Sequence, residues 1–516
     1  MGDFISNIQV PPELASESGQ HPSVQRYPLT GIEVLVVGGG VGGLTAALEC
    51  YRKGHSVRIF ERESNASTAG DMFSIGLSAR RWLNHWPELK NEFDTMFPKV
   101  PRTIIKKHTG DIAIQSAAMG RVDPTQKDAS EEPMAMLLRP AFHQMLHNQI
   151  RKLGIEITYK KRAIEYIEDS AKAYVITDDQ QRASADVIIA ADGIGSKSQQ
   201  IINNGQVEAM LSGTAMYRAV CPSKLAVADQ AVVKAFSLQP GEESHAQVWL
   251  GPNTHAVVFV QKDTITWALH YNESYSTTPS KESWHNTVEP SDVLRTISMT
   301  PGWGEGICGL IRSTPASCII NWPLIWRNPS PIWHSPQAHV IQVGDSAHSF
   351  LPTSGNGATQ AIEDAITVAT CLERAASSLV FEDQTTSPIP SIVDLAVRAH
   401  NKLRFERVSC AQKLGFANAF LLHHTDWDGA KKDPGKAQPN IPQWIWRHNP
   451  EAYAQERWDE LHAYVTGGGL ERESRGEESA FKNTNIPPGF QWSPWTLDDL
   501  VHKGKHGRVK LEGDWS

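Results

Sequence analysis

Six cysteines in 516 residues, none in C-x-x-C spacing with another, leave no disulfide framework and no thiolate metal cluster to organise this chain. Cys50, Cys221, Cys308, Cys318, Cys371 and Cys410 read as free thiols of a reducing compartment. No uninterrupted apolar run approaches the roughly 18 residues of a bilayer span. The stretch 1–30 is polar and proline-bearing without an apolar centre, so no secretory leader is expected either. A cytoplasmic protein without a transmembrane segment is the expectation. Basic charge is also short: 49 Lys and Arg against 57 Asp and Glu give a net charge of −8, the wrong sign for a nucleic-acid partner. Internal repeats are absent. What is present is the composition of an ordinary globular protein, 40% hydrophobic and 21% charged. The chain is too long for one core, so two domains and an appendage are expected.

The pattern along the chain divides accordingly. Residues 32–37 form a β-rich apolar run ending in glycines, a helical stretch follows at 44–53, and a second strand at 56–60 completes a βαβ opening. A hairpin is predicted at 102–115 with Thr109-Gly110-Asp111 as its turn. A helix at 140–153 leads to short strands near 155–160, 163–168, 172–177 and 186–190. Between about 205 and 320, alternating segments such as 247–250, 255–260 and 264–270 predict an antiparallel sheet. The nucleotide-domain texture returns at 339–343, with a helix at 356–376. The expected fold class is therefore α/β plus antiparallel β. Residues 30–100, 131–200 and 318–378 build a discontinuous Rossmann-like domain, and 101–130 with 201–317 build an inserted antiparallel-sheet substrate domain. Residues 379–516 form a C-terminal helical region, with a long helix at 392–419, and a polar tail. In that tail Gly467-Gly468-Gly469 has no strand before it and reads as a linker.

Two glycine-bearing segments carry the chemistry. Gly38-Gly39-Gly40-Val41-Gly42-Gly43 is a G-x-G-x-x-G between a strand and a helix. Gly38 permits the tight turn, Gly40 lets a diphosphate approach the backbone, and Gly43 lets the helix pack on the strand. The N-terminus of the following helix, reached through Val41 and Gly42, presents free N–H groups to phosphate. Glu61, followed by Arg62, ends the second strand where an acid accepts ribose hydroxyls. This much fits FAD or NAD. The second segment separates them. Asp345, in Val343-Gly344-Asp345-Ser346-Ala347-His348, ends a strand and suits a ribityl hydroxyl. Pro352-Thr353-Ser354-Gly355-Asn356-Gly357 then opens a long helix whose N-terminus stabilises negative charge on a reduced flavin. An NAD enzyme has no need of this second arrangement.

Together with Ala191-Asp192-Gly193-Ile194-Gly195-Ser196 between them, these segments resemble the single-component FAD-dependent aromatic hydroxylases, the group A flavoprotein monooxygenases. The salicylate-hydroxylase-like branch of fungal secondary metabolism is most similar. The resemblance spans roughly residues 32–420. It implies a p-hydroxybenzoate-hydroxylase-like fold and FAD contacts from Arg139, at the start of a helix, and from Asp192. Gln199 stands where the family usually has a basic residue, which leaves NADPH or NADH open. The resemblance further implies tightly bound FAD, NAD(P)H as a transient reductant and O2 as co-substrate. One oxygen atom passes, through a flavin C4a-hydroperoxide, to an electron-rich aromatic or indole-type small molecule, by hydroxylation or epoxidation. A monomer or homodimer is expected.

The same resemblance places Tyr217 and Arg218 beside the substrate. A guanidinium there suits holding a phenolate or assisting protonation, and an arginine paired with a carboxylate for structural reasons is the competing reading. Trp249 and Trp267 are candidates to stack on a flat substrate, against core packing as the blander reading. His255 matches a position often basic in relatives and receives no chemical role. His348 is expected to pack at the strand–helix turn. His423 and His424, near Asp426 and Asp428, lack convergent metal spacing and read as solvated loop residues, so no metal is expected. Alternatives from other classes are a terpenoid alkene epoxidase, an NAD(P)H-independent flavin oxidase or dehydrogenase, and a non-catalytic flavin or isoprenoid carrier.

Overall fold

The computed structural model describes residues 24–66, 70–96, 102–116, 133–226, 228–283, 285–378, 389–504 and 513–515; expectations for 97–101, 117–132 and 379–388 lie outside them. Three distant stretches supply a five-stranded parallel sheet, in the order Val340–Gln342, Val187–Ala190, Glu33–Val37, Ser56–Phe60, Glu156–Thr158. Glu33–Val37 and Val187–Ala190, at its centre, are buried apolar runs, as a parallel sheet covered on both faces requires. The helices Val41–Arg52, Arg139–Lys152 and Gly357–Ser378 pack against it, and Ala163–Glu168, Ala173–Thr177 and Arg182–Ala185 form a small antiparallel ribbon.

The second sheet has seven strands, ordered Ile319–Trp326, Met210–Pro222, Thr264–Asn272, Thr254–Gln261, Ser244–Gly251, Thr103–Lys107, Ile112–Ser116. It departs from the sequence reading twice. Ser244–Gly251 runs parallel to Thr103–Lys107, so one pairing is not antiparallel. Ile319–Trp326, placed by sequence with the nucleotide-binding segments, is instead this sheet's edge, paired with Met210–Pro222. One face of the sheet packs on the helices Gln230–Phe236, Pro290–Ile297 and Glu305–Ser313. The other faces the nucleotide-binding layer and the long helix Ile389–His423.

That long helix is joined to Gly357–Ser378 by a fully buried ionic cluster. Arg404 reaches Glu363 at 2.6 Å and Asp364 at 2.8 Å, and Arg407 reaches Glu363 at 2.8 Å. Burial alone would raise both carboxyl pKa values. Arg407 and Arg404 beside Glu363, and His348 and Arg404 beside Asp364, reverse that and hold both well below the usual carboxylate range. Asp364 also accepts from the Gly344 amide at 2.9 Å and pairs with His348 Nε2 at 2.6 Å, so the cluster anchors the turn that carries Asp345.

The C-terminal region is no solvated tail. Trp446, Trp458, Trp495 and Trp515 are buried, and the indoles of Trp492 and Trp495 both donate to Ser409 Oγ on the long helix, at 3.0 and 2.9 Å. Polar and charged residues are frequent in this stretch, but its widely spaced tryptophans do the docking. Among the described residues, no helix is long and apolar enough to cross a membrane.

Candidate active site

The first glycine turn is crowded on one side and open on the other. A Cβ at Gly38, whose φ is +109°, would lie 2.3 Å from the Ala191 carbonyl oxygen, and one at Gly43 would lie 2.0 Å from that of Gly38. At Gly40 a Cβ would meet no heavy atom within 4 Å. The backbone is thus compressed where strand meets helix and clear where a diphosphate would approach. Glu61 accepts from the amides of Gly39, at 2.6 Å, and Glu63, at 2.8 Å, which aims its carboxylate along the same edge. Arg62 is exposed, 3.3 Å from Glu63, and its charge acts on Asp192.

The second glycine turn meets the first. Helix Val41–Arg52 crosses helix Gly357–Ser378 closely enough that a Cβ on Gly42 would stand 3.2 Å from that of Ala361. Gly355 adopts a left-handed φ of +61°, which turns the chain from Pro352 into the helix, and its carbonyl accepts from Ser74 Oγ at 3.0 Å. Thr353 and Asn418 tie the turn to the long helix. Asp345 is an exposed residue closely surrounded by protein, which places it in a cleft. Burial pushes its pKa up, against the opposing pull of His348, Arg139 and Arg327.

Two buried oxygens in this cleft lack a protein partner, Asp192 Oδ1 and Asn356 Oδ1. Asp192 Oδ2 accepts from Tyr166 at 2.8 Å, and burial raises the Asp192 pKa. An open diphosphate approach at one end and unpartnered acceptors beyond it fit an elongated ligand such as FAD. Asp345→Ala is expected to weaken FAD binding by about 1.5–3 kcal/mol, roughly 10- to 150-fold in Kd, the loss of a hydrogen bond to a charged group. Fluorescence titration of flavin-stripped protein measures it, and unchanged affinity would remove Asp345 from the site.

Arg139 lies within electrostatic reach of both ends. It feels, after the cost of its own burial, the charges of Arg218, Asp71, Asp345 and Glu61. Its amide donates to the Asp71 carbonyl at 2.8 Å, and Gly70, at φ +141°, leaves its side chain room. Asp71 receives Arg218: Nε and Nη2 of the guanidinium engage the two carboxylate oxygens in a bidentate pair. Asp71 is nearly buried, while 22% of the Arg218 side chain remains exposed. The guanidinium is therefore fixed on one side by Asp71 and remains partly exposed.

Strand periodicity then decides which neighbours share its face of the sheet. Cross-strand partners lie on one face, and consecutive residues on opposite faces. Arg218 pairs with Ala268 and Val257, and Met216 with His270 and His255, on the face toward the nucleotide-binding layer. Around Met216 pack Leu324, Trp326, Leu351 and Phe416, an apolar surround. Tyr217, by contrast, shares a row with Leu269, Ala256 and Trp249, and Trp267 lies opposite Ala219.

Tyr217, Trp249 and Trp267 are thus corrected from pocket candidates to core residues of the helix-covered face. Tyr217 is fully buried, stacked on Tyr271 at 4.4 Å, with its hydroxyl 3.0 Å from both Ser276 and Thr296. The Trp249 indole donates to Gln247 and that of Trp267 to Thr314, each at 3.0 Å. Tyr217→Phe is expected to cost about 1–2 kcal/mol of stability, from two modest hydrogen bonds, with turnover unchanged. Urea midpoints alongside steady-state rates check this, and a lost rate at full stability would return Tyr217 to the chemistry.

Three residues of the cleft were not anticipated. Asp71 carries no spacing signature, being 147 positions from its partner. Arg327, at the end of the sheet's edge strand, donates to the carbonyls of Ile194 at 2.8 Å and Ser346 at 3.3 Å, clamping the Asp192 and Asp345 loops together. His143 Nε2 bonds the Gly39 carbonyl at 2.7 Å. Gln199, the departure from the family pattern, is buried and donates to the Ser346 carbonyl at 2.8 Å. His423 is another correction: it ends the long helix, largely enclosed, with Nε2 2.9 Å from His255 Nδ1.

Known proteins share this arrangement. The family model described as FAD dependent oxidoreductase matches residues 33–196. The FAD-dependent monooxygenase dmxR9 of Cryptosporiopsis sp. is 37% identical over 502 residues, 95% of this chain and 91% of that protein. The crystal structure of CtdE in complex with FAD and a substrate superposes with a TM-score of 0.73 at 26% identity, covering 84% of this chain and all of that one. A salicylate hydroxylase substrate complex shares the fold, with a TM-score of 0.64 at 21% identity, over 84% of this chain and 98% of that one. Near-full-length identity to such relatives, on a chain whose two glycine turns converge on one cleft, establishes that it belongs to the FAD-dependent monooxygenases.

Proposed function

We propose that this enzyme uses NAD(P)H and O2 to place one oxygen atom on an electron-rich aromatic or indole-type small molecule in secondary-metabolite biosynthesis. The observation that carries the reading is the Arg218–Asp71 pair, set into an apolar sheet face beside the loop that opens helix Gly357–Ser378. FAD, held by Gly38–Gly43, Glu61, Arg62, Arg139, Asp192, Asp345 and the Pro352, Gly355, Asn356 and Gly357 turn, supplies the redox chemistry that activates dioxygen.

The chain's own residues do the rest. The amides at the start of helix Gly357–Ser378 stabilise negative charge placed before them. Arg218, oriented by Asp71, presents its guanidinium to an anionic oxygen of the substrate and holds the ring in the electron-rich, deprotonated form that oxygen transfer draws on. Met216, Leu351 and Phe416 contribute apolar surface that limits water beside the reacting atoms.

A screen of phenols, indole alkaloids and polyprenyl compounds under 18O2 tests the proposal. A phenol or indole product carrying one 18O atom, with one NAD(P)H consumed per product, is expected. Oxidised product lacking 18O, formed without NAD(P)H, would establish an oxidase, and oxygenation confined to polyprenyl alkenes would establish a terpenoid epoxidase.

A further inference from the structure

The seven-stranded sheet carries a second polar feature on the face that bears Arg218. His255 and His270 are cross-strand partners one row away from it, and His423 descends onto them from the end of the long helix. The three imidazole rings lie 4.6–5.1 Å apart between centroids, and one ring nitrogen from each falls within 4.8 Å of the other two. The backbone holds the trio in place. Asn253 N donates to the His423 carbonyl at 3.3 Å, and Thr254 Oγ1 to that of His270 at 2.6 Å.

We propose that His255, His270 and His423 bind a divalent first-row transition metal of the Zn2+ class, which fastens the end of the long helix to the pocket face of the sheet. The donor set is three neutral nitrogen ligands, which suits zinc, cobalt, nickel or copper and excludes magnesium and calcium, whose sites are built from oxygen. The hydrogen bond within the trio accounts for only part of its ring nitrogens. His255 Nδ1 and His423 Nε2 satisfy each other at 2.9 Å, while His270 Nδ1, on a 5% exposed residue, has no partner.

Zinc–nitrogen bonds of about 2.0–2.1 Å put tetrahedral ligand atoms about 3.4 Å apart. The 2.9 Å pair must open slightly and the widest spacing close, movements within reach of side-chain rotation. The cluster contains no carboxylate or thiolate among the described residues, so water or another exogenous ligand takes the fourth position.

Cobalt(II) added to the tag-free, FAD-loaded full-length protein reports the site through d–d absorption on the long-wavelength side of the flavin bands. One cobalt per chain is expected, displaced by zinc and untouched by excess magnesium. His270→Ala and His423→Ala should each weaken binding at least tenfold with FAD content unchanged. His424→Ala should bind normally, because His424 is exposed and stacked on Phe420. His423→Ala lies at a helix end and keeps the test valid if His270→Ala folds poorly. The absence of a stoichiometric cobalt signal, or a signal that survives His423→Ala, overturns the proposal.

Discussion

Arg218→Ala is expected to lower oxygenated product formation by about 10²- to 10⁴-fold, the range for loss of a positioned charged or proton-transferring group, while the protein keeps its FAD. The pair explains why the effect should be large. Asp71 fills one edge of the guanidinium and is itself almost buried, so Arg218 keeps one orientation instead of sampling many. Removing Arg218 also leaves the Asp71 carboxylate enclosed without its partner, at a cost in stability. Arg218→Ala combined with Asp71→Ala should therefore regain stability without regaining activity. Rapid-quench product yield, flavin absorbance and urea midpoints on the three variants separate these effects. Coupled turnover at the wild-type rate in Arg218→Ala would remove the arginine from the reaction.

Arg404→Met carries the other large expectation, a loss of about 3–5 kcal/mol, typical of breaking a buried ion pair from one side. Arg404 contacts Glu363, Asp364 and Gln360 at once. Without it, two acids on one helix are left to Arg407 and His348. Acid sensitivity follows from the same cluster. Glu363 and Asp364 titrate lower in the folded chain than in the unfolded chain, where they take ordinary values near about 4. Their contribution is complete above about pH 5 and drains away as pH falls through the folded-state values. Urea midpoints between neutral pH and pH 3 should fall steeply for the wild type and more shallowly for Arg404→Met. Parallel curves would show that the cluster does not govern acid stability.

The features visible in the sequence were those whose physics is local. Gly38, Gly40 and Gly43 announce themselves because a tight turn, an open approach and a helix–strand contact each demand glycine within a few residues. Gly355 and Gly357 do so at the second turn for similar reasons. Alternation likewise predicted most of the second sheet. What escaped depended on contacts between distant segments. Asp71 meets Arg218 through a carboxylate that no motif surrounds. Strand period puts Tyr217 and Arg218 on opposite faces, but only the folded layers decide which face meets the nucleotide-binding domain. Trp249 and Trp267 fell to the helix-covered side for the same reason. His255, His270 and His423 come from two strands and a helix end, so no spacing rule joins them. The C-terminal tryptophans dock on Ser409 and Phe405 from a stretch whose average polarity hides them.

A crystal structure of the FAD-loaded chain puts the whole account to its most direct trial. The diphosphate should rest against the Gly40 amide at the start of helix Val41–Arg52. The flavin ring should lie before Gly355–Gly357, with Arg218 opening onto the same space. A ring bound away from the Gly357 helix, or an Arg218 sealed off from it, would contradict the site described.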